Sequence, residues 1–164
     1  MFDKTRKRVR TLIRMVVTHC LAVVLGFGLG VYYLPILTAA PAPDQAVLEE
    51  AAENASFTGE FTRELAGSDF LHWGEGTIAV SNTQITHIGE MSPGPDYKLY
   101  LVPEFVEDEA GFEAIKNQSL QLGDIKGFKG FTLPVPVGTD IEAYTTVLIW
   151  CEAFGEFITA AKYR

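Results

Sequence analysis

One cysteine in this chain has the type and position to do redox or ligand chemistry. Cys151 lies in the run VLIWC (residues 147–151), and the other cysteine, Cys20, lies in an apolar N-terminal segment. Cys151 therefore has no cysteine partner within its own region of the chain. In one interpretation, such a cysteine is a small apolar residue that fills a core. In the other, its sulfur is a redox thiol or an axial ligand to a bound cofactor such as haem. Two interpretations of Cys151 therefore compete.

The run around Cys151 is predicted to be a β-strand covered on both sides, because it is rich in branched and aromatic residues. Side chains alternate along a strand, so Cys151 shares one face with Val147 and Ile149, whereas Trp150 belongs to the other. We expect Trp150 and Tyr144 to pack near the sulfur. The nearest charged neighbours of the thiol are both glutamates, which would hold it protonated. The local sequence thus favours a core cysteine.

The N-terminal region is predicted to contain a cytoplasmic tail (1–14) and one transmembrane helix (15–37). Residues 15–37 carry no charge, and about 20 apolar residues cross a hydrocarbon core of about 30 Å. Pro35 is expected to mark the helix exit. A cleaved signal peptide is the alternative, because residues 40–42 resemble a small-residue cleavage site. Residues 1–14 are basic and should stay in the cytoplasm, which places the C-terminal domain outside, periplasmic or extracellular.

Two glycines of the apolar segment suggest a contact between copies of the chain. Gly26 and Gly30 form a GxxxG pair, a spacing that lets two membrane helices approach closely. The pattern is common by chance in apolar segments. A homodimer through these glycines is therefore a prediction that rests on spacing alone.

Charge and motifs exclude several function classes. The chain has a net charge of −8 although its first 14 residues are basic, so the remainder is strongly acidic and should repel nucleic acid. No histidine pair has metal-ligand spacing, so no metal site is predicted. There is no GxSxG, HExxH, CxxC or phosphate-binding glycine loop, and hydrolase chemistry is poorly supported.

The chain beyond the apolar segment divides into two parts. Residues 38–56 are rich in Ala, Pro and Glu and are predicted to form a linker or stalk with a short acidic helix opening at Asp44. Residues 57–164 alternate between short strand-like runs and Gly/Pro turns, and residues 107–117 form either a short surface helix or an excursion from the strands. This pattern predicts an all-β domain, either a β-sandwich or a small barrel.

An ordered set of residues in this second part resembles the DM13 domain, a family named as an electron-transfer module. The resemblance covers residues 56–162, nearly the whole of the predicted outer domain. Its residues are His72 and Gly76 in HWGEG, Gly94, Pro95 and Asp96, Leu122 and Gly123, Ile125, Lys126, Gly127 and Gly130, Leu133 and Pro134, Tyr144, and the run 147–154.

The resemblance implies a β-rich domain built around one cysteine, which acts as a bare thiol or as a ligand to a prosthetic group such as haem. By position that cysteine is Cys151, and His72 is the candidate for a second ligand or proton partner. The expected function is a membrane-anchored redox domain that exchanges electrons with a partner protein. The alternative is a non-catalytic binding module on a stalk, in which Cys151 is only structural.

Overall fold

A long N-terminal helix precedes an eight-stranded β domain in the computed structural model, which describes residues 2–164. The helices are α1 (Phe2–Thr38), α2 (Gln45–Glu53) and α3 (Glu109–Ile115), with 3-10 turns at Lys116–Gln118 and Ile141–Ala143. The strands are β1 (Phe57–Phe61), β2 (Gly74–Val80), β3 (Gln84–Met91), β4 (Tyr97–Val102), β5 (Leu120–Ile125), β6 (Lys129–Pro134), β7 (Thr146–Cys151) and β8 (Glu156–Lys162).

The strands form two antiparallel sheets of four, in the orders β1-β2-β3-β6 and β5-β4-β7-β8. Their inward-facing side chains make one core, to which the first sheet contributes residues such as Ile78 and Ile85 and the second Leu99 and Ile149. The predicted all-β class is confirmed, and of the two architectures foreseen the sandwich is the one found. Alternating apolar residues hold it together because each strand buries one face between the sheets.

The two ends of the sandwich differ in what lies beside them. At one end β4 begins at Tyr97, directly opposite the last residue of β7, Cys151. We call this the cavity end, because a cavity lined by Tyr97 and Cys151 lies there. At the other, the far end, Val102 of β4 pairs with Thr146 of β7.

The second sheet also has a covered outer face. α3 packs there through Phe112 and Ile115, which join Leu148, Trp150 and Phe157 in a second apolar cluster. The helix begins at Asp108, whose side chain accepts a hydrogen bond from Gly111 N at 2.7 Å. Covering this face explains why β7 is buried along its whole length.

The segment between α1 and β1 lies against the domain rather than extending from it. Asp44 caps α2 by accepting from Ala46 N, as the sequence predicts. Leu48 is buried beside Gly130 of the first sheet, and Ala40 N donates to Lys126 O at 2.8 Å. Residues 38–56, predicted as a stalk, are therefore docked on the sandwich. The predicted boundary between this segment and a separate β domain at residues 57–164 stays a prediction.

α1 is long enough and apolar enough to cross a membrane. A signal sequence near the N-terminus has the same length and composition. Its side chains from Lys4 to Gly30 are exposed. The helix continues three residues past Pro35 to Thr38, so the predicted exit at Pro35 is wrong. Pro35 is instead buried where the helix meets the domain. Gly26 and Gly30 face open space, and the dimer through them stays a prediction.

Candidate functional site

Cys151 lies at the open edge of the core because β7 ends on it. The residue is 3% exposed and belongs to the inter-sheet core. The chain reverses immediately afterwards: Gly155, at φ +68°, donates its N–H to Cys151 O at 2.9 Å. Glu152 N donates to Asp96 O at 3.0 Å and ties this turn to the start of β4. Cys151 therefore lies at the end of the inter-sheet core, next to the turn that follows β7.

A cavity of about 310 Å³ adjoins the sulfur at the cavity end. Cys151, His72 and Tyr97 all line it, so the structure brings the two candidate residues from the sequence to one site. His72 is reached from a different part of the fold, the long connection between β1 and β2. It lies in the loop just before β2.

Apolar residues form most of the remaining cavity wall. The C-terminal part of α1 contributes Phe27, Val31 and Tyr32, and the turn at residues 93–95 and Phe154 complete the wall. None of the α1 residues was foreseen as part of a site. They come from a helix distant in sequence, and no local pattern indicates how a helix docks on a sandwich.

A carboxylate holds the His72 loop in shape. Asp69 Oδ1 accepts from Leu71 N at 2.6 Å and from His72 N at 2.7 Å. The other oxygen, Oδ2, lies 3.2 Å from His72 Nδ1. This leaves Nε2 as the ring nitrogen that can bind a ligand or carry a proton. A carboxylate that orients the remote nitrogen is a typical support for a ligating histidine.

Two opposing effects act on the thiol of Cys151. Burial raises its pKa above the ordinary value, because the thiolate loses solvation. The backbone N–H groups of Phe154, Asp96 and Ala153 oppose this by favouring the charged form, without reversing the shift. The free thiol is therefore protonated near neutral pH. An added positive charge beside the sulfur, such as a metal centre, would find N–H groups already in place to support a thiolate.

The floor of the cavity includes a buried tyrosine. Tyr97 Oη lies 3.3 Å from Ser92 Oγ, which also donates to Trp73 O at 3.2 Å. Burial raises the pKa of Tyr97 above its ordinary value, so the phenol stays protonated. Gly94 passes so close that a Cβ would meet the Tyr97 ring at 2.2 Å. The glycine of the Gly-Pro-Asp turn is thus required by packing against the cavity floor.

A polar cluster on the outer face lies one residue from Cys151. Glu152 accepts from Lys116 Nζ at 2.8 Å and from Tyr100 Oη. The ammonium lies 5.2 Å from the centre of the Trp150 ring. Partial burial alone would raise the pKa of Glu152, but these two hydrogen bonds and the positive charges of Lys116 and Lys98 outweigh it and hold the pKa below its usual range.

Two residues expected to pack the sulfur do not do so. Trp150 points to the outer cluster under α3, as strand alternation requires, and Tyr144 precedes the first residue of β7, at the far end. Val147 and Ile149 share the inner face with Cys151, which confirms the predicted alternation.

His87 lies in the core and does not line the cavity. His87 is 0% exposed, lies between the rings of Phe61 and Phe131, and donates from Nε2 to Glu75 O at 3.0 Å. Burial lowers its pKa, so the ring is neutral. Among the side chains of residues 4–164, no three of His, Cys, Asp or Glu are grouped closely enough to hold a metal ion. Of the residues that the structure describes, Cys151 and His72 are the cysteine and the histidine that line the cavity.

The fold and the cavity define a β-sandwich domain with one cysteine at an apolar pocket. The family profile described as "Electron transfer DM13" matches residues 64–163. The chain belongs to the DM13 family, and this membership supports a general role in redox chemistry or electron transfer. No curated protein matches the chain, and no solved structure does.

Proposed function

We propose that this chain is a membrane-anchored redox domain in which Cys151 Sγ is the functional atom. The observation that carries the proposal is that Cys151 and His72, distant in sequence, line one apolar cavity. A cysteine with a purely structural role has no need of a pocket or of an oriented histidine. The cavity volume of about 310 Å³ is at the lower end of the range for ligand pockets, roughly 300–1,000 Å³.

Cys151 and His72 carry donor atoms that would hold a prosthetic group such as haem. Thiolate and imidazole are both established axial ligands of haem iron, and such a group would supply one-electron chemistry at the site. Cys151 would be the first ligand and His72 Nε2 the second ligand or a proton partner, with Asp69 orienting the ring. The apolar wall would keep water away from the sulfur.

The bare-thiol version has weaker support. A redox thiol is normally exposed and has a lowered pKa, whereas Cys151 is 3% exposed and burial raises its pKa. Cys20 cannot serve as its disulfide partner in the proposed topology, because it lies within the membrane-spanning part of α1. We therefore favour the ligand version.

The length and charge of α1 support the proposed anchor and its orientation. A helix of this length and composition can span a bilayer. Its basic N-terminal residues favour the cytoplasmic side. The β domain is then outside, periplasmic or extracellular, and a partner protein there would exchange electrons with the site. The acidic surface of the domain makes nucleic acid an improbable partner.

The test is haem binding to the full chain in detergent micelles, followed by visible absorption. We expect a shifted Soret band for the wild type and for Cys20→Ser, the matched control at the other cysteine, and loss of that shift in Cys151→Ser. His72→Ala should weaken binding while the circular dichroism spectrum stays unchanged.

Two results would contradict the ligand version. One is an identical spectrum for wild type and Cys151→Ser, and the other is the absence of any shift on adding haem. Rapid alkylation of Cys151 in the folded wild type would then favour the bare thiol. An unreactive and colourless protein would favour a non-catalytic binding module with a structural cysteine.

A further inference from the structure

The loops around the cavity mouth expose large apolar side chains. At the cavity end Phe70 is 85% exposed, Phe154 53% and Leu71 41%. Leu71 and Phe154 line the cavity, and Phe70 precedes Leu71 in the same loop. Grouped exposed apolar residues on a domain mark a surface that contacts something other than water.

The position of α1 shows what that surface meets. The helix contacts the cavity end through its residues from Phe27 to Thr38, whereas residues 4–26 are exposed. If the contact zone lay in water, only residues 15–26 of the uncharged run would remain for the membrane. At about 1.5 Å per residue they extend roughly 18 Å. A hydrocarbon core is about 30 Å thick.

The helix cannot make up this difference at its other end. Residues 1–14 carry Lys4, Arg6, Lys7, Arg8, Arg10 and Arg14. Basic side chains in the hydrocarbon region are strongly unfavourable. For α1 to span a bilayer, the part that contacts the domain must therefore lie in the outer leaflet, and the adjoining loops must reach the same depth.

Charged residues near the cavity end fit this placement. Lys126 and Lys129 lie beside the exit of α1, where phosphate headgroups would be. Among the nearby acidic groups, Asp96 is paired with Lys98 at 2.7 Å, and Asp69 accepts backbone hydrogen bonds. Glu90 lies 3.9 Å from Lys129. These three acidic side chains are thus partnered near the apolar rim of the cavity, which consists of Phe70, Leu71 and Phe154.

We infer that the cavity end is seated in the outer leaflet, with Phe70, Leu71 and Phe154 inserted at the boundary between headgroups and acyl chains. Interfacial segments typically bury their apolar side chains about 5–10 Å into that boundary. The cavity that holds Cys151 and His72 then opens toward lipid. The inference rests on the membrane anchor of the proposed function.

The experiment uses the full chain reconstituted in phosphatidylcholine vesicles, with or without bromine on the acyl chains. Phe70→Trp reports on the cavity end. Val137→Trp is the matched control, because Val137 is a fully exposed apolar residue in the loop after β6, at the far end. The signal of the added indole is obtained by subtracting the fluorescence of the parent chain, which contains Trp73 and Trp150.

Brominated lipid should reduce the added Phe70→Trp fluorescence roughly two-fold or more, as expected for an indole at the acyl boundary, and should leave Val137→Trp unchanged. Acrylamide in the water phase should do the opposite. Equal quenching of the two variants by brominated lipid, or quenching of neither, would overturn the seating. So would a chain that fails to float with the vesicles.

A second set of variants separates this inference from the redox role. Both tryptophan variants are repeated with Cys151→Ala. Seating depends on α1 and the rim, so the quenching pattern should persist without the thiol. A protein that is seated but binds no haem would contradict only the redox proposal.

Discussion

The two faces of β7 show how one strand can serve two purposes. Its outer side chains, Leu148 and Trp150, are closed in by α3, and the ring of Trp150 lies 4.9 Å from that of Phe112. Its inner side chains begin as ordinary core, but the last of them, Cys151, borders a cavity. The outer face is filled to its end, whereas the inner face is left open at one residue.

This difference suggests a division of labour. Closely packed aromatic rings stabilise a fold because each buries a large apolar area. A cavity beside a core residue forgoes such contacts, and it is retained where a ligand needs the space. We therefore expect substitutions on the outer face to affect stability most, and substitutions at the inner end to affect chemistry.

The largest effect is expected from Trp150→Ala. Removing a buried tryptophan leaves a hole that α3 cannot close, and such changes typically lower the free energy of unfolding by about 3–5 kcal/mol. Chemical denaturation of the full chain in micelles would measure it. Trp73→Ala is the control, since Trp73 is only half-buried and should lose less. Equal losses for the two variants would mean that the outer cluster is not the main support of β7.

Much of this arrangement can be predicted from the sequence, because strand alternation follows from backbone geometry alone. The inner position of Cys151, the outer position of Trp150 and the sandwich class all follow from period-two patterns and Gly/Pro punctuation. Asp44 predicts the start of α2 for a similarly local reason, the capping of free N–H groups.

The cavity could not be predicted in this way, because its walls meet only through long-range packing. The apolar run that contains Phe27 and Val31 indicates a membrane helix. Nothing in that run indicates that the helix lines a cavity together with Pro95 and His72. The docking of Leu48 on the first sheet is equally non-local. It explains why residues 38–56, read as a free stalk, lie against the sandwich.

A smaller effect is expected from Cys151→Ala. The sulfur already borders a cavity, so its removal should lower the free energy of unfolding by only about 1 kcal/mol. Ile149→Val on the same face is the control, because it also removes one heavy atom from a position without a cavity. Its loss should be as large or larger. A loss above about 3 kcal/mol for Cys151→Ala would favour the structural cysteine of the binding-module alternative.

The smallest effect is expected where the two faces meet, at Glu152. The carboxylate receives hydrogen bonds from Lys116 and Tyr100 on the outer side while its backbone N–H supports the turn after Cys151. Glu152→Gln keeps the shape but removes the charge, so the free energy of unfolding should fall by about 0.5–1 kcal/mol at pH 7, the range for a partly exposed charged pair. It should also bring the pKa of Tyr100, which burial raises first and the Glu152 charge raises further, closer to its ordinary value.

The pH dependence of this variant has a definite sign. The pKa of Glu152 is lowered in the folded chain, so its contribution is present above the unfolded value, about 4.3. It is lost as the pH falls through the lower folded value. The difference in unfolding free energy between wild type and Glu152→Gln should therefore shrink below about pH 4.

Glu75→Gln is the matched control, because Glu75 pairs with Arg63 at 2.7 Å but both side chains are nearly half exposed. Its loss should be smaller and more sensitive to salt. A larger loss of stability for Glu75→Gln than for Glu152→Gln would contradict this expectation. It would mean that the hydrogen bonds of Glu152 do not stabilise the turn after Cys151 more than an ordinary surface ion pair stabilises its surroundings.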